Sequence, residues 1–171
     1  TDTARMMKVC TWHPQFRPAY AVLDPELTIG LPITLTTWTG VDALVHAIEG
    51  YVVPGFHPLC DGAALEGMRL IGTWLERTVS EPGNIEARGG MLAGSCLAGI
   101  SFLKGLGLVH AISHMVGAEY DTHHGLTNAI VLPAVLRFNE SAIARHVPHM
   151  SHALGLAGAS FDDFYLQVCG L

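Results

Sequence analysis

The chain has 171 residues, half of them hydrophobic and only 14% charged, with a formal charge of −6. That length supports one domain with a real apolar core, and an acidic balance without a Lys/Arg cluster excludes the basic footprint of a nucleic-acid binder. Charged or polar residues interrupt every apolar stretch, so no membrane span is expected, and so sparsely charged a surface is expected to be covered in part by another domain or by a second copy in a homo-oligomer.

The start, Thr1-Asp2-Thr3-Ala4-Arg5, carries no signal-peptide pattern. Pro18-Ala19-Tyr20-Ala21-Val22-Leu23 is a short apolar run closed by Asp24-Pro25, which reads as a strand ended by a turn. Nothing later offers it a partner, so its sheet is expected to lie outside the sequence. From Thr36 the pattern turns helical: Val41, Leu44, Val45 and Ile48 recur at helical spacing, and Gly50 supplies a stop. A second helix is predicted from near Asp61 to the Pro82-Gly83 break, and a third from about Asn84 to Leu103, rich in small residues that let helices approach closely. Residues 109–119 form a fourth and Thr127 to Leu136 a fifth, despite Pro133; Ser141 to Leu154 reads as another short helix. Ser160-Phe161-Asp162-Asp163 then looks like a cap followed by a last helix. The reading is an all-α domain with a strand-like leader.

Four cysteines, Cys10, Cys60, Cys96 and Cys169, lie far apart with no CxxC pair. That argues against a disulfide framework or a zinc ribbon and fits a reducing cytoplasm, each thiol serving as a small buried apolar group. The compositional outlier is histidine, ten in all, which invites a metal.

Asp42 and His46 lie four apart, so on a helix they project from one face, a turn apart. The stretch around them is apolar, and an ionised carboxylate buried there needs a cationic partner. A divalent ion would serve, since carboxylate and imidazole are both ligands of first-row metals; an Asp–His hydrogen bond would also answer, and this segment alone leaves both open. His110 and His114 repeat the spacing of four, and His123 and His124 follow at the start of the next helix. This density of histidine, added to the earlier pair, tilts the balance to a metal site.

At Asp24-Pro25-Glu26-Leu27, at Thr39-Gly40-Val41-Asp42-Ala43-Leu44-Val45-His46-Ala47-Ile48-Glu49-Gly50-Tyr51, at Gly107-Leu108-Val109-His110-Ala111-Ile112-Ser113-His114 and at Thr122-His123-His124-Gly125-Leu126-Thr127-Asn128-Ala129, the sequence resembles the iron-containing (group III) alcohol dehydrogenases. The likeness runs from about residue 18 to 139 with matching spacing between blocks. It implies the multi-helix C-terminal domain of the dehydroquinate-synthase-like type over 25–171, truncated at its C-terminal end, with 1–24 as the tail of a mostly absent α/β dinucleotide-binding domain. It also implies Asp42, His46, His110 and His124 as ligands of one Fe2+ or Zn2+, with His114 beside the nicotinamide and substrate as a proton relay. The reaction implied is hydride transfer between a small alcohol or aldehyde and NAD or NADP, with the substrate oxygen polarised by the metal. His123 falls where the family pattern is looser, and Glu49 is a candidate to support a ligand from behind.

The family's glycine-rich phosphate loop is not found. Gly105-x-Gly107-x-x-His110 lacks the third glycine and follows no strand, so it reads as a loop before a helix. The isolated segment is therefore expected to bind metal better than NAD(P) and to show negligible turnover. Two rival readings are a metal-dependent hydrolase, for which Asp42 is the only acid in the cluster, and a helical metal-binding or assembly module without catalysis. His146, His149 and His152 read as a polar face, Asp61 and Glu66 as a solvated helix start, and Trp12, Trp38 and Trp74 as packing residues. Ser95 and Ser113 lack a nucleophile elbow.

Overall fold

The turn that leads into the helices is set by Asp24, whose Oδ1 accepts from the Glu26 N–H at 3.0 Å, while Pro25 presets the backbone of the short 3-10 turn Pro25–Thr28. The computed structural model describes residues 2, 4, 5, 7–9, 11, 13–158 and 160–171. Seven α-helices follow among them: α1 (Ile33–Val52), α2 (Pro58–Ser80), α3 (Ile85–Ser101), α4 (Leu108–Tyr120), α5 (His124–Ile143), α6 (Val147–Ala153) and α7 (Phe161–Gly170). The described residues hold no β-strand, only a single antiparallel bridge between Asp2 and Met7. Residues 18–23, expected as a strand, carry no regular structure and leave Tyr20 and Val22 more than four-fifths exposed. A lone strand has no neighbour to satisfy its N–H and C=O groups.

Local chemistry accounts for the boundaries. Asn84 caps α3 by accepting from the Ala87 N–H at 3.0 Å, and a reciprocal capping box between Ser160 and Asp163 opens α7. α2 starts three residues before Asp61, capped by the His57 ring, which accepts from the Cys60 N–H. Gly50 does not end α1; the helix runs on to Val52. Gly50 lies against Ser101, whose hydroxyl a Cβ would strike, so this glycine serves close approach between helices rather than termination. α5 extends beyond its expected bounds at both ends, through Pro133, and takes in Ser141–Ile143, so the expected helix over 141–154 survives only as the shorter α6. Pro133 removes one intrahelical donor without breaking the helix, because both sides of α5 are held by packing against α1 and α4.

α1 is the central element, packed against α2, α3 and α5. Contact on several sides demands apolar residues around most of the helix, and Leu44, Val45, Ala47 and Ile48 are all buried. From α2 come Ala64, Met68, Ile71 and Leu75, from α5 Leu132, Val135 and Leu136, and from the C-terminal pair Met150 and Phe164. Polar residues facing inward from α1 are thereby placed in the one position where α4 and α5 can both reach them. Among the described residues no single helix is long and apolar enough to cross a membrane. Of the cysteines, Cys60 is buried as expected, Cys169 is exposed, and Cys10, like Trp12, lies outside the described residues.

Candidate metal centre

Asp42 projects from the middle of α1, His110 from the first turn of α4, and His124 is the first residue of α5. Asp42 Oδ1 stands 3.5 Å from His110 Nε2 and 3.5 Å from His124 Nε2, and the three ligand atoms lie within 4.8 Å of one another. Ligand atoms at about 2.1 Å from a tetrahedral ion are spaced by about 3.4 Å, so the trio already has the span of a coordination shell. Gly125 permits this convergence: a Cβ there would strike the backbone carbonyl of Trp38, so only glycine lets α5 start this close to α1.

His46, the fourth expected ligand, does not share that mutual approach. Its Nδ1 is 3.9 Å from Asp42 Oδ2, and its ring stacks on that of His110, centroids 4.4 Å apart at 28°. Stacking follows from the shared face: one turn along α1 from Asp42, the imidazole lies flat beside its neighbour, with Phe102 on its flank. Burial pushes its pKa down to about 4, so the ring is neutral with a free lone pair.

Glu49 supports the trio from behind. Buried at 4% exposure, it bonds His110 Nδ1 through Oε2 at 2.7 Å and accepts from the N–H groups of Gly107, Val109 and His110 at 3.0, 2.7 and 3.3 Å. One carboxylate thus caps α4, which has no cap of its own at Gly107, and commits His110 Nδ1 to itself so that Nε2 faces Asp42 and His124. Burial raises the Glu49 pKa, but the His110 bond and the α4 amides outweigh it and hold the carboxyl below its ordinary range. Asp42 is held low in the same way: burial raises it, and His110, His46 and Asn128 more than reverse that. Burial disfavours a charged His110, yet the two carboxylates beside it lift its pKa to about 9. A proton on His110 is then the cation that this pair of acids demands, the role an ion takes over when it binds.

Asn128, fully buried on α5 one turn after His124, completes the arrangement. Its Nδ2 is 2.5 Å from Asp42 Oδ1 and 3.2 Å from each of His110 Nε2 and His124 Nε2, while its Oδ1 is buried without a partner. With His110 protonated, its Nε2–H faces Asp42; once that proton leaves, Asp42, His110 and His124 offer three acceptors to an amide NH2 with two hydrogens. In that unprotonated state the lone pairs converge on a point that a cation satisfies and an amide does not, which is the donor chemistry a divalent ion requires. Ser113, fully buried on α4, lies 3.4 Å from His124 Nδ1 and fixes the outer edge of that ring.

A cavity of about 510 Å³ opens beside the trio, lined by His46, Phe102, Leu106, His110, His114 and His124 among others. His114 is half-buried, with its ring centroid 5.2 Å from that of His124 and 6.2 Å from that of His110. It faces the cavity beside the trio rather than joining it, and burial lowers its pKa, as does the His110 charge. His123 caps α5 and packs on Trp38, centroids 4.7 Å apart, away from the trio's lone pairs.

Some residues set aside on sequence have more specific partners. Asp61 is no solvated helix start: it pairs with the buried Lys104 ammonium at 2.5 Å, and Lys104 also donates to the Tyr51 carbonyl. Glu66 does pair at the surface, with Arg69. Exposed His149 is bound to the Tyr51 hydroxyl at 2.7 Å and His152 is exposed as well, so the polar face holds at these two, while half-buried His146 turns inward to pack against the Tyr51 ring. Asn128 and Ser113 were not singled out by sequence reasoning as parts of the site. The spacing of four from His124 to Asn128, the same as from Asp42 to His46, is the signal that places Asn128 there.

Comparison with known proteins adds the lineage. The family model described as "Fe-containing alcohol dehydrogenase family, C-terminal" matches residues 36–166. The chain is 42% identical over 156 residues to the NAD-dependent methanol dehydrogenase of Bacillus methanolicus, covering 91% of this chain and 41% of that protein. It is 41% identical over 140 residues to the 1,3-propanediol dehydrogenase of Klebsiella pneumoniae, covering 81% and 36% respectively. Among solved structures, the iron-containing alcohol dehydrogenase of Thermococcus thioreducens superposes with a TM-score of 0.82 at 34% identity, over 91% of this chain and 41% of that one. The chain thus spans about two-fifths of the length of the relatives it matches. It belongs to the Fe-containing alcohol dehydrogenase family and is the C-terminal, helical domain of such a protein.

Proposed function

We propose that this domain is the metal-holding part of an NAD(P)-dependent dehydrogenase of small alcohols and diols. Asp42, His110 and His124 hold the divalent ion, Fe2+ or Zn2+, and His46 completes the set from the same face of α1. The observation that carries this is the convergence of three donor atoms, from three different helices, within 4.8 Å of one another. When bound, the ion supplies Lewis acidity toward the substrate oxygen, and the nicotinamide takes or gives the hydride. Glu49 holds His110 in the tautomer that presents Nε2, and Asn128 steadies the Asp42 carboxylate. His114, facing the cavity with its pKa lowered, accepts the proton released as an alcohol is oxidised and passes it toward solvent. Phe102 and Leu106 line the same cavity and exclude water from the reacting centre.

The relatives' names support the substrate class: a methanol dehydrogenase described as NAD-dependent and a 1,3-propanediol dehydrogenase. A related solved structure, the sulfoacetaldehyde reductase of Bifidobacterium kashiwanohense, holds NAD+. We place the dinucleotide site mainly on an α/β domain of which residues 1–24 are the tail, with residues 25–171 forming the helical metal domain. The exposed apolar side chains, Phe56, Leu59 and Phe138 among them, agree with a homo-oligomer.

The test uses the intact protein, reconstituted separately with Fe2+ and Zn2+. Metal content and NAD(P)-linked oxidation of short alcohols and diols are measured for the wild type and for Asp42→Ala and His124→Ala. One ion per chain in the wild type, lost together with turnover in both variants, is expected. Full ion occupancy in Asp42→Ala and His124→Ala would overturn the assignment.

A further inference from the structure

Phe102, Gly105 and Leu106 bring one short segment, residues 102–107, to the wall of the cavity beside the metal ligands. None of these residues is buried, and Phe102, Leu103 and Leu106 stay off the apolar core. A side chain turned to a cavity is not available to anchor the backbone that carries it. The usual apolar anchor of a wall is therefore missing here.

Polar ties to α1 and α2 hold the segment instead. Just before it, the buried Ser101 hydroxyl donates to the His46 carbonyl at 3.3 Å, and at its far end the Gly107 N–H donates to Glu49 Oε2 at 3.0 Å. Between those ends, Lys104 makes the only hydrogen bonds to other elements among the described residues. Its ammonium donates to the Tyr51 carbonyl at 2.9 Å and to Asp61 Oδ1 at 2.5 Å. Both partners suit a cation. The Tyr51 carbonyl is one of the last four of α1, which lack an intrahelical donor and lie at the negative end of the helix dipole. Asp61 supplies the opposite charge that an ammonium on a side chain only 6% exposed requires.

Lys104 does not itself line the cavity, so its part is played through its neighbours. Phe102 lies on the flank of His46, ring centroids 5.1 Å apart, and the position of this segment decides how far the apolar wall stands from the ligands. In a fitted apolar pocket one methylene is worth about tenfold or more in kcat/KM, a discrimination that needs a wall that does not yield. We propose that Lys104 is a positioning residue of the substrate cavity: its ties to Tyr51 and Asp61 fix Phe102 and Leu106, and so set the length of alcohol accepted beside the metal. This rests on the dehydrogenase reading above.

The intact, metal-loaded protein is assayed as wild type, Lys104→Met and Asp61→Asn. Ion content is measured, with kcat and KM across the straight-chain primary alcohols from ethanol to 1-hexanol. Methionine keeps much of the stem and removes the charge. Lys104→Met is expected to keep its ion and a kcat within about threefold of wild type while KM rises about tenfold, the pattern of lost uniform binding. The fall in kcat/KM from the preferred alcohol to the next longer one shrinks from about tenfold to about twofold. Asp61→Asn, which leaves the Tyr51 tie, flattens the series less. Amide exchange, which needs no turnover, is faster over residues 102–107 in Lys104→Met and unchanged in α5.

An unchanged KM and chain-length series in Lys104→Met beside an active wild type would overturn the proposal. So would loss of the ion, or a fall in kcat as large as the rise in KM, since the pair would then be a prop of the metal centre. A wild type that holds no ion or oxidises no alcohol would strike the dehydrogenase reading itself, and this proposal with it. Should Lys104→Met fail to fold, Asp61→Asn decides.

Discussion

Glu49 joins two tasks on one carboxylate, capping α4 and aiming His110, and the two are separable by substitution. Glu49→Gln keeps the size and at least one acceptor for the α4 amides but removes the charge that makes His110 a strong ligand. Replacing such an outer partner of a metal-bound histidine costs about 10–100-fold in ion affinity, and we expect a loss of that order in a chelator-competition titration. Unchanged affinity would mean that the 2.7 Å contact is only a cap. At this scale the sequence was most readable where residues carry charge or an imidazole. Asp42 and His46 stood out by spacing and His110 by its spacing from His114, while the choice of His110 and His124 among the histidines came from the family resemblance. Asn128 and Ser113 were silent, because a neutral amide or hydroxyl leaves no imprint on composition and its burial is known only once three helices have met. The stacking of His46 on His110 was equally hidden, since spacing along one helix says nothing of which ring a neighbouring helix brings alongside.

At the scale of elements, the order and type of helix were written in hydrophobic periodicity, while their ends depended on tertiary contact. Gly50 looked like a stop and is a contact point for Ser101; Pro133 lies inside α5 as expected, but the helix runs past its expected bounds at both ends. Gly125 shows the cost of such a contact. Gly125→Ala would drive a methyl into the Trp38 carbonyl, and overpacking of this kind destabilises by about 1–3 kcal/mol. Urea denaturation should show that loss, and ion affinity should fall with it, because His124 moves with the start of α5. If stability falls but affinity does not, the approach of α5 to α1 is structural only.

The junction between α5 and α6 carries a second prediction, on pH. His146 packs on Tyr51 of α1, and its Nε2 accepts from Arg145 Nε at 3.1 Å. Its pKa is held below the ordinary 6.5 by burial first, then by the charges of Arg145, Lys104 and His149, with Asp61 opposing. The unfolded chain therefore binds this proton more readily than the folded one. Its contribution to stability is complete above pH 6.5 and is lost as pH falls from there through the lower folded value. His146→Gln should flatten the fall in Tm over that acid window, and an identical pH profile in the variant would count against the assignment.

For the molecule as a whole, α1 is braced by α2, α3 and α5, whereas α4 packs chiefly on α5. Beyond Val109, buried in the core, and Ile112 packed against it, what ties α4 to the rest is the polar centre: Glu49 across its first turn, and Asp42 opposite His110. A divalent ion held by Asp42, His110 and His124 adds a further link among α1, α4 and α5 to the apolar one through Val109. The sparse surface charge led us to expect a covering domain or second copy, and side chains such as Tyr20, Phe56 and Leu59 are exposed; which elements depend most on the metal could not be read from composition. Linkage sets the size of the effect. At a free ion concentration about 100 times Kd, an ion that binds only the folded state adds about 2.7 kcal/mol. Denaturation with and without chelator should show a gap of that order in the wild type and none in Asp42→Ala. Amide exchange should locate it, with Leu108–Tyr120 slowing most when the ion is added. Uniform slowing across all seven helices would mean that the ion stabilises the fold globally rather than by fastening α4.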